Sequence, residues 1–571
     1  MQTILGISTT HDSGATLLQD GEVVAAVNEE RFNRTKHYGY LPFESIQYCL
    51  DTGDVTTDDL DAVAVPSEVL RTDARLLLDA EVDTTNVSQS SLSLFKKLTR
   101  ESVETLRRAA DRNTSIPEYA RPVRFPDGID VSLVNHHEAH AATAYYCCGS
   151  DDALVVTLDG LGDRLSGTVW KGQNGTLENL KQWDRTGSLG WFFGVVTEAL
   201  GWWIGNGEGK TMGLASYADS DPAAEEALQE ILPTYDNGEL VDTYDFSRSS
   251  SWEVHDTHHW SFEEEREYVE SVIEEHGREE TAAAAQRLLE EQVLEIVEPW
   301  LEETDSKVLA TAGGVFLNVQ VNRRIHESTD LDDYFIFPNA GDGGLPTGAA
   351  LAAHRHQAQD FTPFELSHPY YGPEISAGVP EVFEDRQLSF ETPTDVVERA
   401  ADLLADGNIV AWCQGRMEYG PRALGNRSIL IDPTRDDSMD RVNERVKFRD
   451  SWRPFAPSIK EEAIEEYLVD PVCDPFMITS VDVVPNKRDE IPAVTHVDGT
   501  TRPQVVRRSV NERYWRLLDA FEDRTGTPVL LNTSYNLSGD PIVCDARDAI
   551  GTFYNCGLDA LVVDDHVLTK V

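Results

Sequence analysis

The sequence predicts a mixed α/β chain in which one strand, glycine loop and hairpin unit occurs twice, followed by a second α/β domain. Three observations carry this: residues 4 to 28 and 153 to 183 share one grammar, residues 360 to 393 are Pro-, Gly- and aromatic-rich without period, and a helix at 395–407 followed by a strand at 409–413 restarts the alternation. In the first copy a strand from Ile4 to Ser8 enters the polar loop His11-Asp12-Ser13-Gly14. A second strand Ala15 to Leu18, a turn at Asp20-Gly21 and a third strand Val23 to Val27 follow. In the second copy the strand is Ala153 to Leu158 and the loop is Asp159-Gly160-Leu161-Gly162-Asp163. Gly167 to Trp170 then pairs across the turn Gln173-Asn174-Gly175 with a strand reaching Trp183. Such a repeat is the pattern of actin-like and sugar-kinase-like ATPase folds, whose two lobes each turn the first hairpin toward phosphate. The expected boundaries are 1–358 for the duplicated domain, 359–393 for a linker and 394–571 for the C-terminal α/β domain.

Phe95 to Arg112 reads as an amphipathic helix, and residues 219 to 262, acidic and poorly periodic, as a surface insertion. Phe262 to Glu303 has helical spacing in two long pieces broken near His276-Gly277. Val308 to Asn318 and Tyr334 to Pro338 are short buried strands. Gly313-Gly314 falls where a strand ends and a helix begins, so backbone N–H groups there can approach a nucleotide closely.

With 571 residues the chain exceeds one hydrophobic core. Its 101 acidic against 48 basic residues give a formal charge of −53, which repels nucleic acid and anionic membranes. Arginine far outnumbers lysine and the acids are scattered singly, the pattern of a halophilic protein living in molar salt, where a Debye length of about 3 Å removes the self-repulsion. Seven cysteines without a C-x2-C pair indicate neither a disulfide framework nor a zinc ribbon. No apolar run is long enough to span a bilayer, and a cytoplasmic location is expected.

Two stretches carry chemistry. In Asn135-His136-His137-Glu138-Ala139-His140 the helical spacing places His136 and His140 one turn apart on one face, where both rings reach one divalent cation. A third ligand must come from far along the chain; Asp342, glycine-flanked on an expected exposed turn, is the best candidate, and Asp159 a second. Two His with one or two Asp suit Fe, Mn or Zn as a Lewis acid. The other stretch runs from Gly415 to Ser428 and on through Asn443 and Lys447 to Pro457. It concentrates Arg416, Arg422, Arg427, Lys447, Arg449 and Arg453 in a lysine-poor protein, which calls for an anion. His496, Arg502 and a strand ending in Asn532 and Ser534 complete a phosphate or acyl-adenylate pocket.

These residues resemble the O-carbamoyltransferases of the nodulation-protein and tobramycin-carbamoylating type. The resemblance covers nearly the whole chain. It rests on His11 to Ala15 with Glu29-Glu30-Arg31-Phe32, His136-His137 with His140-Ala141, Gly207 to Ala215, Ala312-Gly313-Gly314, Gly341-Asp342, Gly415 to Ser428, Arg453 to Pro457 and Leu531 to Asn536. It implies an N-terminal Kae1-like domain and a C-terminal YrdC-like domain. The latter would join carbamoyl phosphate to ATP with release of pyrophosphate, making carbamoyl adenylate; the former would move the carbamoyl group to an acceptor hydroxyl and release AMP. Carried over by position, Lys447, Arg453, Arg422, His496 and Arg502 would hold carbamoyl phosphate and nucleotide, with Lys210, Gly313, Gly314, Asn318, Arg416, Arg427, Arg449, Asn532 and Ser534 in the same binding set. His136, His140 and Asp342 would hold iron(II), manganese and zinc being alternatives, with Asp159 as an additional candidate ligand. His11, beside Asp12, would be the base on the acceptor, and magnesium would accompany ATP. The acceptor would be a sugar or secondary metabolite, with no nucleic acid and no membrane; homodimerisation stays open. Two rival functions are a threonylcarbamoyl-tRNA-type modification enzyme, which would need threonine and tRNA, and a non-catalytic nucleotide-binding subunit, which has no use for His11, His136, His140, Asp342 and Lys447 together.

Overall fold

The computed structural model describes residues 2–68, 125–126, 128–246, 250–254, 258–358, 361–375, 379–450, 452–472 and 474–570. The helix expected at Phe95 to Arg112 lies outside them. The chain forms two compact units, residues 1–143 with 342–361, and residues 144–341 with 362–571.

In the first unit Thr3–Ser8 (β1), Gly14–Gln19 (β2), Glu22–Asn28 (β3), Ala62–Val65 (β4) and Asp130–Leu133 (β5) make a sheet in the order β3-β2-β1-β4-β5. β1 and β2 are antiparallel with Leu5 opposite Leu17, whereas β1, β4 and β5 run parallel. All six residues of β1 are buried, because both faces are covered. One face packs Leu5, Ile7 and Leu17 on Ile46, Cys49 and Leu50 of the helix Phe43–Thr52. Alternation turns Gly6 and Thr16 to the opposite face, where the helix Leu345–Gln357 lies. Glycine sets its approach: a methyl at Gly6 would come 1.9 Å from the Pro346 carbonyl oxygen, and one at Gly348 1.9 Å from that of Ala139. The Thr16 and Thr347 hydroxyls, 2.8 Å apart, pin the helix to β2.

In the second unit Asp152–Gly162 (β6), Leu165–Gln173 (β7), Thr176–Asp184 (β8), Val308–Ala312 (β9) and Asp333–Ile336 (β10) form a sheet in the order β10-β9-β6-β7-β8. β6, β7 and β8 are an antiparallel meander, and β6, β9 and β10 run parallel. Order and direction repeat those of the first sheet strand for strand, so the repeat read from the sequence is present as a duplicated topology. The helices Glu263–His276 and Arg278–Thr304 meet at Gly277, whose φ of 104° only glycine adopts readily. The stretch 219–262 is more than a surface insertion. It holds the helix Pro222–Leu228 and two short hairpins, and buries Leu228, Ile231, Tyr235 and Phe246; elements this short leave no legible period.

The same unit contains a seven-stranded mixed sheet. Val410–Cys413 (β11), Arg427–Ile431 (β12), Ala456–Lys460 (β13), Gln504–Val506 (β14), Val529–Ser534 (β15), Ala560–Val563 (β16) and His566–Thr569 (β17) lie in the order β14-β13-β15-β12-β11-β16-β17. One apolar cluster joins its Ile429, Leu531 and Leu561 to Ile550 and Phe553 of the helix Ala546–Asn555. A second joins Trp412, Leu430 and Leu530 to the helices Val396–Ala405 and Glu512–Thr525. The sheet is thus sandwiched between helical layers.

Two helical glycines should respond oppositely to alanine. Gly348→Ala forces the helix off Ala139 and lowers the melting temperature by the equivalent of about 1–3 kcal/mol. A methyl at Gly551, inside the helix Ala546–Asn555, meets nothing within 4 Å, so Gly551→Ala is neutral or stabilises by up to about 1 kcal/mol in the same thermal melt.

Candidate active site

The His136–Tyr146 helix begins where the Asn135 side-chain oxygen accepts from the His137 and Glu138 amides at 2.9 and 3.2 Å, an N-cap. One turn separates His136 from His140, and their ring centroids are 4.8 Å apart. Asp342 opens a short 3-10 turn feeding the helix Leu345–Gln357. That helix is held on Ala139 at Gly348, and the carboxylate therefore arrives beside both rings. Asp342 Oδ1 is 3.6 Å from His136 Nε2 and 3.7 Å from His140 Nε2. These distances are too long for hydrogen bonds and close to the spacing of two ligands around one small cation, roughly 3–3.5 Å for bonds near 2.1 Å. His136 and His140 are buried and the Asp342 side chain is 22% exposed, so the ligand expected on an exposed turn sits in a partly closed one. Two imidazoles and a carboxylate fit a divalent transition ion. Asp159 belongs to the second unit, at the bulged end of β6, where its carboxylate accepts from the Gly160 amide at 2.6 Å.

The β1–β2 loop of the first unit builds a second group. Asp12 adopts φ of 56° and places its two oxygens on two imidazoles, His11 Nδ1 at 2.9 Å and His37 Nδ1 at 2.8 Å, with the rings stacked 4.9 Å apart. Burial alone would raise the Asp12 carboxyl, but the charges of the two histidines and their hydrogen bonds outweigh it and hold it well below the usual carboxylate range. With Nδ1 of each ring held by the anionic Asp12, the neutral form of either histidine carries its lone pair on Nε2. Asn28 donates to the Asp12 carbonyl at 2.9 Å and to the Gly343 carbonyl at 3.1 Å, tying this loop to the turn that bears Asp342.

In the second unit the arginine-rich stretch sorts into two kinds of residue. Arg427 is fully buried and donates to the carbonyls of Gln414, Gly415, Asn426, Pro373 and Cys544, so it braces the loop. Arg416 likewise donates to the Tyr371 and Gly372 carbonyls. The loop is wrapped on Glu418, whose buried carboxylate accepts from the amides of Leu424, Asn426 and Arg427 at 2.7, 2.8 and 3.1 Å. Arg422, Arg449, Arg453 and Arg502 form the other kind. Burial, with Arg453 nearby, lowers Arg422 to about 10 and Arg449 to about 9, although the charges of Asp474 and Asp450 respectively oppose the drop. Burial and the charges of Arg422 and Arg449 lower Arg502 well below its ordinary range. The Nε atoms of Arg422 and Arg502 are buried without a hydrogen-bond partner. Asp474 is the carboxylate set against them, and burial pushes it up to about 6 despite the donating amides of Phe476, Ile478 and Thr479. Half-buried guanidiniums crowded together against few carboxylates, two of them with a buried Nε that meets no partner, are stabilised when an anion joins them. His496 stands by, its Nδ1 3.4 Å from Asp498.

Several expected ligands are spent on the fold. Lys447 donates to the Ser534 and Asn536 carbonyls at 2.5 and 3.1 Å and to Asn536 Oδ1 at 2.8 Å, and the Ser534 hydroxyl donates to that same oxygen. Asn318 caps the helix Val319–Ser328 and pairs with Gln286, Gly313 donates its amide to Ala340, and Asn532 donates to Ala423, Ser458 and Gln504. Gly314 stands on Asp159, where a methyl would come 3.0 Å from Oδ1. Lys210 lies 5.7 Å from the Trp202 ring centroid. Asn28, His37, Gly348 and Glu418 were given no role from the sequence, although Asn28 precedes the quoted Glu29 to Phe32, His37 lies five residues after it, and Glu418 falls inside the quoted Gly415 to Ser428.

The sequence has known relatives. The family described as "Carbamoyltransferase N-terminus" matches residues 3–351 and "Carbamoyltransferase C-terminus" residues 401–570. The chain belongs to the carbamoyltransferases and is a carbamoyl-transferring enzyme. Nodulation protein NolNO of Sinorhizobium fredii is 36% identical, the match covering 98% of this chain and 79% of that protein. Nodulation protein NolO of Bradyrhizobium diazoefficiens is 36% identical over 76% of this chain and 79% of its own. An uncharacterised Synechocystis protein, sll1178, is 32% identical over 100% and 97%. Among the described residues no helix is long and apolar enough to cross a membrane.

The two groups respond to different probes. His140→Ala removes one of two imidazole ligands, and elemental analysis of the purified protein should find stoichiometric transition metal in the parent and at least tenfold less in the variant. Arg502→Ala should leave the melting temperature unchanged or raise it, because a half-buried charge repelled by Arg422 and Arg449 is removed, while the affinity for pyrophosphate in a calorimetric titration falls at least tenfold; a melting temperature several degrees lower would mean that the nest is structural.

Proposed function

We propose that the arginine nest of the second unit activates carbamoyl phosphate with ATP, and that the histidine group of the first unit delivers the carbamoyl group to an acceptor hydroxyl. What supports the first half is the gathering of Arg422, Arg449, Arg453 and Arg502, half-buried against little opposing charge and with the Nε atoms of Arg422 and Arg502 buried without a partner, in an enzyme of the carbamoyl-transferring family. Carbamoyl phosphate is small and dianionic and ATP is a polyanion, so both need several cations to bind and to stabilise departing pyrophosphate. Phosphorus balance demands orthophosphate as well: carbamoyl phosphate, ATP and water give carbamoyl adenylate, pyrophosphate and orthophosphate. A carbamate oxygen bonds to the α-phosphorus of ATP, and the electron pair of the broken α–β bridge leaves with pyrophosphate. The region from residue 394 on is read as the YrdC-like domain that performs this step, and magnesium accompanies the ATP.

In the second half the acceptor, a hydroxyl-bearing small molecule such as a sugar or secondary metabolite, is a poor nucleophile and needs a base near neutrality. His11 fits: Asp12 fixes its Nδ1–H, so Nε2 takes the proton as the acceptor oxygen bonds to the carbamoyl carbon and the carbon–oxygen bond to AMP breaks, its electron pair leaving on the phosphate. His136, His140 and Asp342 would hold iron(II), manganese or zinc, which would supply Lewis-acid stabilisation of the developing charge.

Release of pyrophosphate and orthophosphate should require carbamoyl phosphate and ATP together, and neither threonine nor tRNA. His11→Asn should retain that release while carbamoylation of an acceptor, followed as a one-carbamoyl mass gain in a metabolite extract, drops by at least 10²-fold. Equal loss of both half-reactions would overturn this division of labour.

A further inference from the structure

One cavity of the second unit has no residue assigned to it so far. Trp202, Tyr217, Arg278, Glu279, Asp450 and Trp452 line a hollow of about 240 Å³. A hollow of this size admits an aromatic ring system with a pentose. The Trp202 and Trp452 ring centroids are 5.9 Å apart and inclined at 45°, a wedge rather than a stack. Tyr217 stands edge-on to Trp452 at 6.3 Å and donates its hydroxyl to the Trp452 carbonyl at 2.9 Å, which stiffens one wall. Arg278 braces the other, lying 5.7 Å from the Trp202 ring centroid and donating to the Leu200 carbonyl. Two carboxylates, Glu279 and Asp450, supply acceptors at the rim.

The cavity adjoins the arginine nest. Asp450 lines the cavity and its charge acts on Arg449 and Arg453, Trp452 precedes Arg453 in the chain, and Tyr217 packs against His496 at 5.8 Å. A nucleoside triphosphate carries an aromatic face, a diol and a polyanion on one molecule, and this region offers indoles and carboxylates in the cavity with guanidiniums beside it.

We infer that this cavity binds the nucleoside end of ATP, the base against the indoles of Trp202 and Trp452 and the ribose hydroxyls donating to Glu279 or Asp450, while the triphosphate runs into the arginine nest. This rests on the reading of the nest as the ATP site given above.

Tryptophan fluorescence of the full chain, titrated with ATP and separately with inorganic tripolyphosphate, tests it. ATP should quench the emission strongly and tripolyphosphate weakly. Trp202→Ala should weaken ATP at least tenfold and leave tripolyphosphate within twofold, and Trp202→Phe should restore most of the ATP affinity. Unchanged ATP affinity in Trp202→Ala, equal weakening of both ligands, or quenching by a free hexose but not by adenosine would each overturn the assignment. If Trp202→Ala leaves ATP binding and pyrophosphate release intact, only this inference fails. A parent protein that binds neither ATP nor tripolyphosphate would instead sink the reading of the nest.

Discussion

The seating of one helix governs the first unit. Leu345–Gln357 meets β1 at Gly6 and the histidine helix at Gly348, carbonyl against backbone at both points, and no residue with a Cβ can stand at either. Because Asp342 leads directly into that helix, and His136 and His140 flank the Ala139 carbonyl on which it rests, two backbone contacts fix three side chains at once. Asn28 extends the same logic to the β1–β2 loop, since one amide holds the carbonyls of Asp12 and Gly343. His136, His140 and Asp342 are thus positioned by main chain, which is stiffer than a side-chain network, while His11 is held in addition by the Asp12 carboxylate.

The second unit obeys a different constraint, the cost of positive charge away from water. Glu418 gathers three amides and Arg427 five carbonyls, so the loop between β11 and β12 is rigid before any ligand arrives. On that frame Arg422 stands with Arg449, Arg453 and Arg502, against little opposing charge beyond Asp474 and Asp450. Such a nest works against folding and toward binding, the trade expected of a site preorganised for a polyanion. In a chain of net charge −53 it is also a local inversion of sign, which draws anions to one place on an otherwise repelling protein.

Much of this was legible beforehand because it is local. The repeated hairpins, the break at Gly277, the helix carrying His136 and His140, and the helix-then-strand that opens the C-terminal domain all follow from spacing over a few residues, and all are present. The arginine excess between Gly415 and Pro457 was equally plain. Composition, however, cannot say which guanidiniums are spent: Arg422 and Arg427 are five residues apart and alike in sequence, yet one has a buried Nε with no partner and the other donates only to carbonyls. Lys447, Asn318 and Asn532 misled for the same reason, since a polar side chain in a suggestive motif is as readily used to hold backbone as to hold substrate.

The sequence by itself determined the class of chain, its internal repeat, the paired imidazoles and the stretch where arginines gather, because periodicity, spacing and charge are written residue by residue. Only the tertiary structure decided that Asp342 closes on those imidazoles across some two hundred residues, that His37 and Asn28 serve His11 and Asp12, and that Arg427 is spent on carbonyls while Arg422 and Arg502 each keep a buried Nε without a partner. These depend on which backbone groups come into contact when distant segments pack, and that is settled by the fit of Gly6, Gly348, Glu418 and Arg427 to surfaces that no short window of sequence contains.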